Sequence, residues 1–96
     1  MVEVIFEWDP KKSKANLRKH GIDFDEARAV FFDPLKHVEI EGHEHGEIRW
    51  RTIGEIDGKL YVVSHTFEDE GEFEVARIIS ARKINKHERR AYERQA

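Results

Sequence analysis

The chain has 96 residues, 39% hydrophobic and 39% charged, a mean hydropathy of -0.76 and a net charge of -3. That length is read as a single domain over residues 1–96, and six Phe, two Trp and two Tyr argue against disorder. No run reaches the ~18 apolar residues of a membrane span and no signal-peptide core follows Met1, so a cytoplasmic globular protein without membrane association is expected. Cysteine is absent, which excludes disulfides, thiolate metal ligands and a thiol nucleophile.

Val2, Val4, Phe6 and Trp8 alternate with mostly polar residues and predict a first strand with one buried face. Asp9-Pro10 then reads as an N-cap followed by proline at the first helical position. The helix it opens is basic, runs from Pro10 to His20, and meets Gly21 as its terminator. Asp23 with Glu26 three residues on forms a capping-box pattern, predicting a second helix from Phe24 to Phe32 that closes at Asp33-Pro34. Val38–Glu41 is a short strand candidate, followed by a polar loop from Gly42 to Gly46. Ile48–Ile56 and Lys59–Phe67 flank Asp57-Gly58, a two-residue hairpin signal. Glu70-Gly71 is read as a second tight turn, leading into Phe73–Ala81. Asn85, with Glu88 three residues on, caps a final helix to Arg94. The order β-α-α, then an antiparallel meander, then a helix predicts an α+β domain.

Charge is distributed unevenly. Residues 1–20 carry +2, residues 21–75 carry -10, and residues 76–96 carry +5. The basic C-terminal segment suits an anion such as RNA or an acidic partner, or is a solvated helix face. With two-residue turns in both hairpins, Arg51 stands opposite Ser64 and Ser64 opposite Arg77. Arg49 then faces Thr66, and Ile53, Val62 and Ile79 form an apolar row on the same face. Three arginines cluster at one end of a half-buried sheet in that register.

Phe6-Glu7-Trp8-Asp9, Asn16, Lys19-His20-Gly21, Phe24 and Ala27 resemble the opening of the BrnT family of toxins. Arg49, Ile53-Gly54, the strand Arg77-Ile78-Ile79-Ser80-Ala81-Arg82, Glu88-Arg89 and Tyr92 resemble the remainder, so the resemblance runs from about residue 6 to residue 93. It implies the toxin half of a type II toxin–antitoxin pair with a RelE-like β-α-α-β-β-β-α fold, a central antiparallel sheet flanked by helices. It further implies a metal-independent endoribonuclease that needs no cofactor and blocks translation. Neutralisation would fall to a BrnA-like antitoxin, in a heterotetramer of two toxins and two antitoxins that reaches operator DNA only through the antitoxin. The acidic, His-rich segment Glu39–Glu47 and the turn Glu68–Glu72 depart from the family pattern.

Cleavage of RNA without a cofactor requires activation of a 2′-OH, stabilisation of a phosphorane and protonation of the departing 5′ oxygen. Arginine forks suit the second task, and a histidine suits either proton transfer. On the resemblance, His20, Arg49, Arg77 and Arg82 are the expected catalytic residues, with Lys19, Arg51 and Tyr92 as RNA contacts. Each has a plainer alternative. Lys19 and His20 also suit the C-terminal end of a helix dipole, Arg77 an ordinary strand arginine, and Tyr92 an anchor for the last helix. His65, opposite Trp50, suits a packed core imidazole. Two other functions compete with the ribonuclease. His37, His43 and His45 with Glu41, Glu44 and Glu47 offer metal ligands, although their spacing matches no standard zinc pattern. A non-enzymatic module binding an acidic protein partner is the other.

Overall fold

A computed structural model describes residues 3–94. Its elements are β1 (Glu3–Glu7), α1 (Pro10–His20), α2 (Phe24–Ala27), a 3₁₀ helix (Arg28–Phe32), β2 (His37–Glu44), β3 (Glu47–Ile56), β4 (Lys59–Asp69), β5 (Phe73–Lys83) and α3 (Lys86–Glu93). The strands form one sheet in the order β1-β5-β4-β3-β2. The α+β class agrees with the sequence reading, with two corrections. The described residues form five strands where the expected order counted four, because the Val38–Glu41 candidate is a full strand. The sheet is mixed where an antiparallel one was expected, because β1 pairs parallel to β5.

Local chemistry sets the helix limits. The Asp9 carboxylate accepts from the Lys11 N–H at 2.9 Å, and Gly21, at φ 76°, donates to Leu17 O at 2.9 Å. Capping boxes open α2 at Asp23/Glu26 and α3 at Asn85/Glu88. The predicted helix Phe24–Phe32 is helical throughout but tightens to 3₁₀ geometry after Ala27, where Val30 presses against β3. A Cβ at Gly54 would lie 2.7 Å from Val30 O, so only glycine admits that approach.

The expected Gly42–Gly46 loop is instead the end of β2 and a tight turn. His45 and Gly46 both have positive φ, as do Asp57 and Gly58, and each pair joins its strands as a twist-matched hairpin. Arg51 pairs with Ser64 as expected. The second hairpin differs from the expected register. Its loop is longer than two residues, with Asp69 opposite Glu74, and a bulge follows between Ser64 and His65. Ser64 therefore faces Ser80, Thr66 faces Arg77, and Val62 faces Arg82 in place of Ile79.

Two layers of packing cover the sheet. On one face Ile22, Phe24, Ala27 and Val30 pack on Val63, Ile78 and Ala81, with Phe6, Trp8 and Phe31 around them. The Val2 part of the predicted strand lies outside the described residues. On the other face α3 covers only one end, where Ala91 and Tyr92 meet Ile53 and Val62. The rest of that face carries arginines and carboxylates among small polar and a few apolar side chains.

Candidate functional site

Strand alternation puts Arg49, Arg51 and Ile53 on the α3 face of β3. On β5 the bulge decides the outcome. Arg77 and Arg82 are an odd number of residues apart and in a regular strand would face opposite ways. Ile79, the extra residue between the pairs His65–Ile78 and Ser64–Ser80, turns both arginines to the same face. All four arginines therefore share one side of the sheet, in two groups.

The first group surrounds Glu88. This carboxylate is fully buried and takes both terminal nitrogens of Arg82, each at 2.8 Å. It also accepts the Asn85 N–H at 2.8 Å and lies 3.8 Å from Arg51 Nη1. Burial alone would raise its pKa, but the Arg82 hydrogen bonds, the Asn85 N–H and the charge of Arg51 outweigh that and hold it below the usual carboxylate range. The same pairing raises the pKa of Arg82. Arg51 gives its Nε to Glu39 at 2.7 Å, and Glu41 accepts from the Ser64 hydroxyl at 2.6 Å. Three carboxylates thus compensate the two guanidiniums of this group.

The second group is a row across the sheet. Thr66 pairs with Arg77, and Arg77 pairs in turn with Glu7 of β1. One step beyond the Trp50–His65 pair, the antiparallel register sets Arg49 beside Thr66. The two arginines are thus two strand spacings apart, roughly 10 Å between backbones. Each has a single carboxylate partner, Glu44 on Arg49 at 2.8 Å and Glu7 on Arg77 at 3.5 Å. Those side chains are 31–52% exposed, so the pairs are weak and exchangeable. The Arg49 Nε is buried with no hydrogen-bond partner, a donor held in place with its capacity unused.

The remaining candidates lie elsewhere. Lys19 is exposed and His20 half-buried at the end of α1, on the opposite side of the sheet. Among the described residues no hydrogen bond or ion pair joins His20 to any of the arginines. Tyr92 donates its hydroxyl to Asp33 at 2.7 Å, and that carboxylate pushes its pKa up to about 12. It fastens α3 to the segment before β2, the anchoring alternative. His65 is buried between Phe31 and Phe67, hydrogen-bonds Thr52 at 2.7 Å, and has a pKa lowered to about 4 by burial. The rim histidines do not converge, and among the described residues no three His, Asp or Glu side chains are grouped to hold a metal ion.

The carboxylates were the part that sequence reading missed. Glu88 had a signal, since its capping-box position fixed it at the start of α3. Glu7 and Glu39 stand opposite Arg77 and Arg51, which only the register reveals, and Glu44 reaches Arg49 from the neighbouring pair Glu44–Glu47. A family model described as "Ribonuclease toxin, BrnT, of type II toxin-antitoxin system" matches residues 8–88. No curated protein matches the chain.

Proposed function

The chain belongs to the BrnT family of ribonuclease toxins of type II toxin–antitoxin systems, and from that premise we propose that it is a metal-independent endoribonuclease whose scissile phosphate binds between Arg49 and Arg77. The observation that supports this reading is the row Arg49–Thr66–Arg77 on one face of the sheet, whose two guanidiniums are held outward only by the half-exposed carboxylates Glu44 and Glu7 and would swing inward to share a phosphate. In the reaction the substrate 2′ oxygen loses its proton and attacks phosphorus. The bond from phosphorus to the 5′ oxygen breaks, and that oxygen takes up a proton. The products are a 2′,3′-cyclic phosphate and a free 5′-OH. Arg49 and Arg77 stabilise the charge that builds on the equatorial oxygens, releasing Glu44 and Glu7 as the phosphate arrives.

Arg82 and Arg51 enter this proposal as the frame of the site. Their nitrogens are committed to Glu88 and Glu39, so they fix the β3–β5 spacing on which the row depends. The proton carrier expected at His20 has no polar contact with the row, whereas Glu7 and Glu44 are ionisable groups upon it. The proposal extends to a RelE-like fold, a cytoplasmic location, arrest of translation, and neutralisation by a BrnA-like antitoxin. The expected complex is two toxins with two antitoxins, reaching operator DNA only through the antitoxin.

The test is cleavage of end-labelled RNA by the purified chain in excess EDTA. Cyclic phosphate ends that persist in EDTA are expected, and Arg49→Lys and Arg77→Lys are expected to lose activity, since an ammonium cannot make the bidentate contact. Cleavage abolished by EDTA, or unaffected by both substitutions, refutes the site.

A further inference from the structure

A second charged surface lies on α1, across the sheet from the arginine row. Lys11, Lys12, Lys14, Arg18 and Lys19 are all exposed, and the helix contains no acidic residue. Among the described residues none of the five has an ion-pair partner. At 3.6 residues per turn they occupy an arc of about 160°. The opposite side of the helix is held down by polar contacts. Asn16 donates to Ile22 O and Ala81 O, both at 2.8 Å, and Ser13 accepts from the Phe24 N–H at 2.9 Å.

In its first turns the placement works against the helix, although Arg18 and Lys19 in the last turn suit the dipole. Lys11, Lys14 and Arg18 follow one another at spacings of three and four residues, where like charges repel. Lys11 and Lys12 stand at the positive end of the helix dipole. A stripe of this kind, retained against local stability, fits a polyanion that offsets the repulsion. Its make-up selects among polyanions. Protein interfaces have an apolar core from which lysine is depleted, and here Leu17 is the one large apolar side chain exposed on the helix. Lysine and arginine without an apolar centre match a phosphate backbone.

We propose that the Lys11–Lys14–Arg18 stripe of α1 is a second RNA-backbone surface, which holds flanking nucleotides of the strand being cut at Arg49 and Arg77. It rests on the ribonuclease reading and supplies that site with a sequence-independent grip. It predicts affinity that is strongly salt-dependent although the chain as a whole is acidic.

The test uses a fluorescein-labelled 2′-O-methyl RNA of about twenty nucleotides, which lacks the 2′-OH needed for cleavage, and follows binding anisotropy against salt. Each phosphate contact on a single strand contributes ~0.7 to the slope of log K against log salt. The variant Lys11→Gln/Lys14→Gln/Arg18→Gln is therefore expected to lower the slope by about 2, a roughly 16-fold smaller loss of affinity between about 50 and 200 mM salt. Its melting temperature is expected to equal or exceed that of the wild type. An unchanged slope overturns the proposal. So does tighter binding of polyglutamate of matched charge than of the RNA, which would assign the stripe to an acidic protein. Cleavage of unmodified RNA by the wild-type protein separates the two readings. Cleavage with an unchanged slope rejects the stripe alone, and a lowered slope without cleavage rejects the ribonuclease alone.

Discussion

Two halves of one sheet face use the same residue type in opposite ways. At the α3 end, Arg82 and Arg51 close on Glu88, a carboxylate with no access to solvent, reinforced by Glu39. At the far end, Arg49 and Arg77 each meet one half-exposed carboxylate across the rim. The difference is in desolvation. A buried ion cannot lose its partner without a large penalty, so the first half is fixed. An exposed pair is worth little and exchanges readily, so the second half can change partners, as the proposed phosphate site requires.

The largest effect expected from breaking this contrast is on stability at the α3 end. Glu88→Ala removes the buried acceptor of Arg82 and half of the capping box. It should cost about 3 kcal/mol, the low end for a broken buried pair because Arg82 keeps partial access to water. A denaturant midpoint checks this, and Glu88→Gln should recover part of the loss by restoring the cap. A change of under about 0.5 kcal/mol, as expected of a surface position, would show that the network is not structural.

Acid sharpens the contrast in a different way. His65 has a folded pKa of about 4 against 6.5 for an unperturbed histidine, so the unfolded chain binds its proton first. Stability should therefore fall as pH drops below about 6.5 and level off below 4, by about 2 kcal/mol at pH 5. Glu88 and Glu39 are depressed. Their contribution is complete above the ordinary carboxylate value and is lost only as pH falls through their lower folded values. Urea melts from pH 7 down to about pH 2 should show the histidine step first. His65→Gln should remove it, leaving the carboxylate step.

Smaller effects test the anchor and the rim. Tyr92→Phe loses the hydrogen bond to Asp33 and should cost about 1 kcal/mol, with cleavage unchanged if Tyr92 only fastens α3. Glu7→Gln should alter stability by no more than about 0.5 kcal/mol. Any substantial fall in its cleavage rate would then identify Glu7 as the proton carrier on the row.

How much of this was legible in the sequence depends on how local the physics is. The starts of α1, α2 and α3 and the end of α1 followed from Asp9, Asp23, Asn85 and Gly21, because a cap is decided within four residues. The Asp57-Gly58 hairpin and the Arg51–Ser64 pair followed from a turn that admits one register. The bulge at Ile79 left no local trace, and it decides which way Arg77 and Arg82 point. The packing of α1 was equally hidden, since it rests on Ser13 and Asn16, polar side chains that an apolar-stripe search passes over. Family resemblance singled out the arginines without saying which of them were already engaged. That distinction needed Glu88 in three dimensions.

The central claim is that activity resides with Arg77 and its row while stability resides with Arg82. The measurement that tests it most directly is a paired one, RNA cleavage rate and thermal midpoint for Arg77→Ala and Arg82→Ala. Arg77→Ala is expected to lose ~10²–10³-fold in rate, the loss typical of one transition-state donor, while melting like the wild type. Arg82→Ala, which strands a buried carboxylate, is expected to melt well below it. An Arg77→Ala protein of full activity, or an Arg82→Ala protein that loses cleavage at an unchanged midpoint, would contradict the account.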